Sequence, residues 1–159
     1  MNKRNMKACR IVMTCLCLIV LMSGCGEQNG ETTDPGFVQM GNPLVTVASA
    51  EEMEAQLGYA VPVLDKDVSD YIVLVIDGAA ESGRIRYADG SDFNIKQGSG
   101  DISGIYGGAQ EEELEIDGVA VTFFRFEDIR YAIWEKDGFA FSLSGGETLK
   151  EDVTALIHK

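Results

Sequence analysis

The chain has 159 residues, with 13 Lys and Arg against 26 Asp and Glu, one His and four Cys. That length supplies one hydrophobic core, and an apolar fraction of 45% excludes wholesale disorder. A formal charge of −13 excludes sequence-independent nucleic-acid binding, because phosphates must be met by Lys and Arg.

The N-terminus reads in three parts. Lys3, Arg4, Lys7 and Arg10 form a basic segment without an acid, and Ile11–Met22 is an almost wholly apolar run of 12 residues. Crossing a bilayer as a helix takes ~20 apolar residues, so the pattern is a secretion signal. Met22-Ser23-Gly24-Cys25 then resembles the lipobox of bacterial lipoproteins, with Met22 where that family usually carries Leu. The resemblance implies a diacylglycerol on the Cys25 sulfur and cleavage just before it. An ordinary secretory signal or an uncleaved anchor with a chance Cys is the alternative. Removing residues 1–24 leaves 135 residues and shifts the net charge from −13 to −17. Cys9, Cys15 and Cys17 leave with the signal, so no thiol remains for a disulfide, a metal or a nucleophile. This reading puts the protein on the outer, extracytoplasmic face of the cell membrane, held there through lipid on Cys25.

Residues 25–43 comprise the lipidated Cys and a polar, Gly- and acid-rich tether, in which Phe37, Val38 and Met40 are the notable apolar residues. At ~5–6 Å × √n, such a tether spans on the order of 20–25 Å. Residues 44–159 form the single globular domain. Ser49-Ala-Glu-Glu52 predicts a capping box opening a short helix that Gly58 stops. Tyr71–Ile76 predicts a strand buried on both faces. Arg84–Ala88 and Asp92–Lys96 alternate strictly, and a three-residue loop between them would set Tyr87 opposite Phe93. Glu111–Asp117, Val119–Phe126, Arg130–Lys136 and Phe139–Ser144 follow as an antiparallel meander. At Asp137-Gly138 a two-residue turn sets Trp134 opposite Phe141, whereas a three-residue loop sets Ile133 there. Thr148-Leu-Lys-Glu151 predicts a second capping box, followed by Leu149, Val153, Leu156 and Ile157 on one helical face. The expected fold is α+β: an antiparallel meander sheet of about six strands, a short N-terminal helix, and a C-terminal amphipathic helix packed on the sheet.

From Asn42 onward the chain is similar to an uncharacterised domain of bacterial surface lipoproteins. That domain is itself similar to extracytoplasmic domains of anti-sigma-factor-type membrane proteins. The matching features are Asn42-Pro43, Gln56-Leu57-Gly58-Tyr59 before Val61-Pro62-Val63-Leu64, Tyr87-Ala-Asp-Gly90, Asp101-Ile-Ser-Gly104 and Val119–Thr122. The resemblance implies an extracytoplasmic module and transfers no active site.

Most candidate chemistry fails on spacing. Asp65-Lys-Asp67-Val-Ser69-Asp70 resembles the start of a calcium loop, but Asp70 stands where the sharp-turn Gly belongs, and Ile76 where Glu belongs. It reads as an acidic surface loop. Glu113, Glu115 and Asp117 alternate outward with Leu114 and Ile116 inward, a solvated strand face. Gly98–Gly108 lacks the glycine and lysine pattern of a phosphate-cradling loop, and reads as a flexible loop at a sheet edge with Tyr106 near its end. Ser103 sits in no nucleophile elbow. His158, penultimate and expected to fray, builds no relay or metal cluster, so no cofactor and no metal are expected.

Two surface features remain. Arg84, Arg86 and Lys96, with Asn94, form a basic patch that either receives an anion or pairs with Asp92 and acidic neighbours. Phe124, Tyr131 and Trp134 belong to an aromatic surplus that either lies under helices or lines a groove for peptide, glycan or another protein. The candidate ligand or partner surface is therefore Tyr106, Phe124, Tyr131, Trp134, Arg84, Arg86 and Lys96. The expected function is a non-catalytic binding or sensing module. A carboxylate-dependent envelope hydrolase and a structural or assembly lipoprotein are the alternatives.

Overall fold

The computed structural model describes residues 42–159; the expected signal, Cys25 and residues 26–41, including Phe37, Val38 and Met40, lie outside the described residues. In chain order the elements are β1 (Leu44–Val47), α1 (Ala50–Leu57), β2 (Val68–Ile76), β3 (Ala79–Tyr87) and β4 (Asp92–Gln97), then β5 (Ala109–Ile116), β6 (Val119–Phe126), β7 (Ile129–Lys136), β8 (Phe139–Gly145) and α2 (Leu149–Ile157). All eight strands form one antiparallel sheet in the order β1-β2-β3-β4-β8-β7-β6-β5. The α+β expectation holds, with eight strands in place of about six. β1, four residues at the start of the globular domain, was not expected as a strand, and the first half of β3, Ala79-Ala-Glu-Ser-Gly83, is too poor in strand formers to stand out. Its turn was nevertheless written in Asp77-Gly78, where both residues take positive φ, 51° and 82°.

The strand order divides into two four-stranded meanders, β1–β4 and β5–β8, joined by pairing of β4 with β8. Phe93 of β4 stacks on Phe141 of β8 and on Trp134 of β7, with centroids 6.1 and 6.3 Å away. Phe93, Ile95, Ile85, Leu143, Phe123 and Val121 are fully buried on this face. Each such side chain contributes about 1.5–3 kcal/mol of transfer free energy. Both helices lie on the same face. Met53 of α1 and Leu149, Val153, Leu156 and Ile157 of α2 join one continuous core with these strands. α1 packs on β1, β2 and β3, and α2 on β7 and β8.

The helix ends show which local expectations survive. Ser49 accepts from the Glu52 N–H at 3.3 Å, Glu52 returns to the Ala48 N–H at 2.8 Å, and Gly58 ends the helix at φ 79°. The second capping box does not form. The Thr148 hydroxyl makes no bond to the helix backbone and instead donates to the Asp152 carboxylate at 2.8 Å. Asp152 is nearly buried and needs compensation, which Lys66 completes at 2.6 Å while also reaching Asp89 at 2.8 Å. Burial alone would lower the Lys66 pKa, but bonds to Asp152 and Asp89 outweigh it and raise the value. One ammonium thus ties the α1–β2 connection, the β3–β4 turn and α2 together. At the other end of α2, Lys136 donates to the Ile157 carbonyl at 2.6 Å and His158 bonds Asp117, so His158 is held rather than frayed.

The β3–β4 register also differs from expectation. Ile85, not Tyr87, lies opposite Phe93; Arg84 faces Asn94 and Arg86 faces Asp92. A slip of two residues leaves every side chain on its expected face, so the apolar pattern does not detect it. The turn decides. Asp89 accepts from the Ser91 N–H at 2.9 Å and hydroxyl at 2.5 Å, and the Tyr87 N–H bonds the Ser91 carbonyl at 2.9 Å, closing the hairpin one step earlier. At β7–β8 the two-residue turn forms, with Trp134 opposite Phe141.

Gly83 lets α1 approach: a Cβ there would stand 2.9 Å from both Leu57 Cδ1 and Met53 Sδ. Gly83→Val should therefore cost about 1–3 kcal/mol by overpacking, read as a lower urea midpoint at unchanged slope. Asp89 carries a second prediction. Hydrogen bonds from Lys66 and Ser91 hold its carboxyl down at about 2, against an ordinary 3.8. A depressed folded-state value contributes stability above the unfolded value and loses it as pH falls toward the folded one. Asp89→Asn should lower stability at neutral pH, and its difference from wild type should shrink between about pH 4 and pH 2. A difference that does not change across that window would contradict the linkage.

Candidate functional site

The β4–β5 connection starts at the sheet centre and must reach its far edge. It does so on the face the helices leave bare, where cross-strand register sets out the floor. One row runs Ile72, Arg84, Asn94, Ser142, Ile133 and Thr122; the next runs Asp70, Arg86, Asp92, Ser144, Tyr131 and Phe124. Between this floor and Ile102–Ile105 of the connection lies a cleft of about 530 Å³, within the range of small-ligand sites. Leu44, Ile72 and Leu74 line one end, and Ile129 and Tyr131 also border it.

The connection touches the sheet through few bonds. The Gly98 N–H reaches the Gly138 carbonyl at 2.9 Å, and the Gly100 N–H reaches Glu135 at 2.7 Å. Inside it, Asp101 accepts from the Ser103 N–H and Ser103 from the Ile105 N–H, two local turns that shape the roof. At its exit Gly108 lies on Phe124: a Cβ would come within 2.5 Å of the ring. A segment expected to lie at a sheet edge is thus draped across the sheet face.

The expected surface residues separate into three groups. Tyr131 lines the cleft and stacks on Phe124, with centroids 5.2 Å apart and planes 13° from parallel. Phe124 is buried under Gly108 and backs Tyr131 instead of meeting solvent. Trp134 belongs to the opposite face, 4% exposed and stacked on Phe141 at 5.3 Å, which takes it out of this cleft. Tyr106 is 92% exposed at the end of the connection, outside the residues that line the cleft.

The basic patch is neutralised from within. Arg84 Nε donates to both Asp92 oxygens at 2.7 and 2.9 Å, and that bond raises the guanidinium pKa. Arg86 lies 3.8 Å from Asp70, and Lys96 lies 3.8 Å from Glu81. Of the two readings of this patch, the structure contains the pairing with acidic neighbours. Exposed pairs of this kind add little stability, but each cation of this patch has a carboxylate within 4 Å among the described residues. Likewise Glu111, at the β5 bulge, pairs with both Arg125 and Arg130, which face each other across β6 and β7. Leu114 and Ile116 pack inward on that edge, as the alternation predicts.

Sequence reasoning missed Ser82, Ser142 and Ser144. The signal was present in β8, Phe-Ala-Phe-Ser-Leu-Ser, where large apolar residues alternate with small and polar ones. Ser142 is 1% exposed and accepts from Asn94 Nδ2 at 3.1 Å. Ser82 and Ser144 make no side-chain hydrogen bond to another described residue, which leaves their hydroxyls for whatever fills the cleft.

Among the described residues, no group of three or more His, Cys, Asp or Glu side chains is placed to hold a metal ion. Asp92 is the single carboxylate lining the main cleft. Asp101 and Glu135 line a smaller cavity of about 350 Å³ beside it, each accepting a loop N–H. No helix among the described residues is long and apolar enough to cross a membrane. No protein-family model, curated protein or solved structure matches the chain.

The placement of Trp134, the sole Trp, is checked directly by its fluorescence. Emission should be blue-shifted and poorly quenched by acrylamide in the folded protein; efficient quenching would put the indole on an open surface.

Proposed function

We propose that the chain is a lipid-anchored, extracytoplasmic binding or sensing module that recognises a ligand and performs no reaction on it. The observation that carries this reading is the cleft between the β4–β5 connection and the helix-free face: a volume suited to a small ligand, floored by rigid strands and roofed by a lightly moored loop. Its one carboxylate is locked to Arg84, so the pair of carboxylates that an acid-base hydrolase needs is not gathered there. The Met22-Ser-Gly-Cys25 sequence supports the anchor, and the resemblance to surface lipoprotein domains agrees with an extracytoplasmic place. Two acyl chains on Cys25 would hold the domain durably where one would not.

Two measurements test the reading. In the native host, radiolabelled palmitate should enter the protein, and Cys25→Ala should abolish the label. A wild-type chain that takes up no label, or a Cys25→Ala chain that still takes it up, would overturn the anchor. Titration of the isotope-labelled full chain with a small-molecule fragment set should shift amide signals of Ile102–Ile105, Asn94, Ser142 and Ser144. Shifts confined to other surfaces would overturn the site.

A further inference from the structure

We propose that the ligand of this cleft is an uncharged saccharide chain, an inference that rests on reading the cleft as a ligand site. Charge gives the first argument. Every ionised side chain on the floor already has its counterion: Arg84 with Asp92, Arg86 with Asp70. An anion would have to displace Asp92 from a two-pronged bond to Arg84, and a cation would have to displace Arg84. The floor therefore presents polarity without net charge.

The second argument concerns backbone. An extended peptide binds a sheet by continuing its ladder at an open edge. Apart from Leu44 of β1 at one end, the cleft floor is built from interior strands, β2, β3, β4, β8 and β7, whose main chains are paired on both sides. At the two ends of the outer edge of β1, flanking side chains take main-chain amides: Asn42 Oδ1 takes the Leu44 N–H at 3.1 Å and Glu52 takes the Ala48 N–H at 2.8 Å. The β5 edge carries a bulge and a run of glutamates. A peptide would leave its amides to isolated side chains.

A saccharide makes the opposite demand. Each hydroxyl is at once donor and acceptor, and side chains of matching kind line the cleft in Asn94, Ser144 and Ser82, with Ser142 buried beneath and holding the Asn94 amide. The planar Arg84–Asp92 pair offers a further donor and acceptor side by side at the same level. Sugar rings also carry apolar C–H faces, and Tyr131, held flat by its stack on Phe124, lies where such a face would rest. Ile102 and Ile105 close over it from the roof.

The test uses the full chain in saccharide-free micelles and four probes of matched length. These are neutral tetramers of N-acetylglucosamine and of glucose, the cationic tetramer of glucosamine, and the anionic tetramer of galacturonate; an uncharged alanine peptide serves as a fifth. A neutral tetramer should bind with amide shifts at Asn94, Ser142 and Ser144, and added salt should leave its affinity nearly unchanged, as expected for an interaction without net charge. Ser144→Leu and Ser82→Leu should each weaken it by about tenfold or more, with Trp134 emission unchanged as the check on folding. Cleft shifts produced only by the charged tetramers or the peptide would overturn the saccharide and leave the site standing. No cleft shift from any probe would overturn both.

Discussion

Pairing of β4 with β8 joins the two halves of the sheet, and Phe93, Phe141 and Trp134 stack across that seam. Six main-chain positions meet along it, from Asp92 opposite Ser144 to Gln97 opposite Phe139. The pairing is distant in sequence, so it closes a long loop before it is rewarded by burial. Aromatic rings supply that reward at the one place where it is needed, since each hairpin within a meander forms locally. Both helices then settle on the aromatic face, leaving the other side of the sheet without a helix among the described residues.

The same seam dictates the cleft. Because β8 occupies the place beside β4, the chain leaving β4 must travel past β8, β7 and β6 to start β5. That passage is the Gly98–Gly108 segment, held to the sheet by a few backbone bonds and by the packing of Gly108 on Phe124. A covered face that is floored by Ser, Asn and a self-neutralised Arg–Asp pair is not a second hydrophobic core. Its polar groups keep it from closing, and the connection above it has little apolar surface with which to press down. The site follows from topology first and from side-chain chemistry second.

Several parts of this arrangement were legible in the residues. Ser49 and Gly58 bounded α1 because their capping bonds are local. The alternation in Glu113–Ile116 fixed faces, and Leu149, Val153, Leu156 and Ile157 marked the buried stripe of α2. Other parts were not. Thr148 satisfies the motif for a cap, yet a neighbouring buried carboxylate, Asp152, competes for its hydroxyl, and that neighbour matters only once Lys66 arrives from a distant segment. The β3–β4 slip is invisible to a two-residue period. Trp134 and Tyr131 looked equivalent as members of one aromatic strand, but β-alternation with odd spacing puts them on opposite faces, and only the location of the helices says which face is open. The floor serines carried no motif at all; they acquire meaning from flanking Asn94 of β4, Ser82 from β3 and Ser142 and Ser144 from β8.

The central claim is a rigid seam beneath a lightly held roof, with an accessible polar cleft between them. Hydrogen exchange of the intact chain, followed by mass spectrometry, measures both at once. The account predicts that seam amides from Phe93 to Ile95 and from Phe141 to Leu143 exchange through global unfolding alone, while those of Ile102 to Gly107 exchange orders of magnitude faster through local opening. Protection of the roof equal to that of the seam would mean that the connection is packed down as core, and would contradict the account.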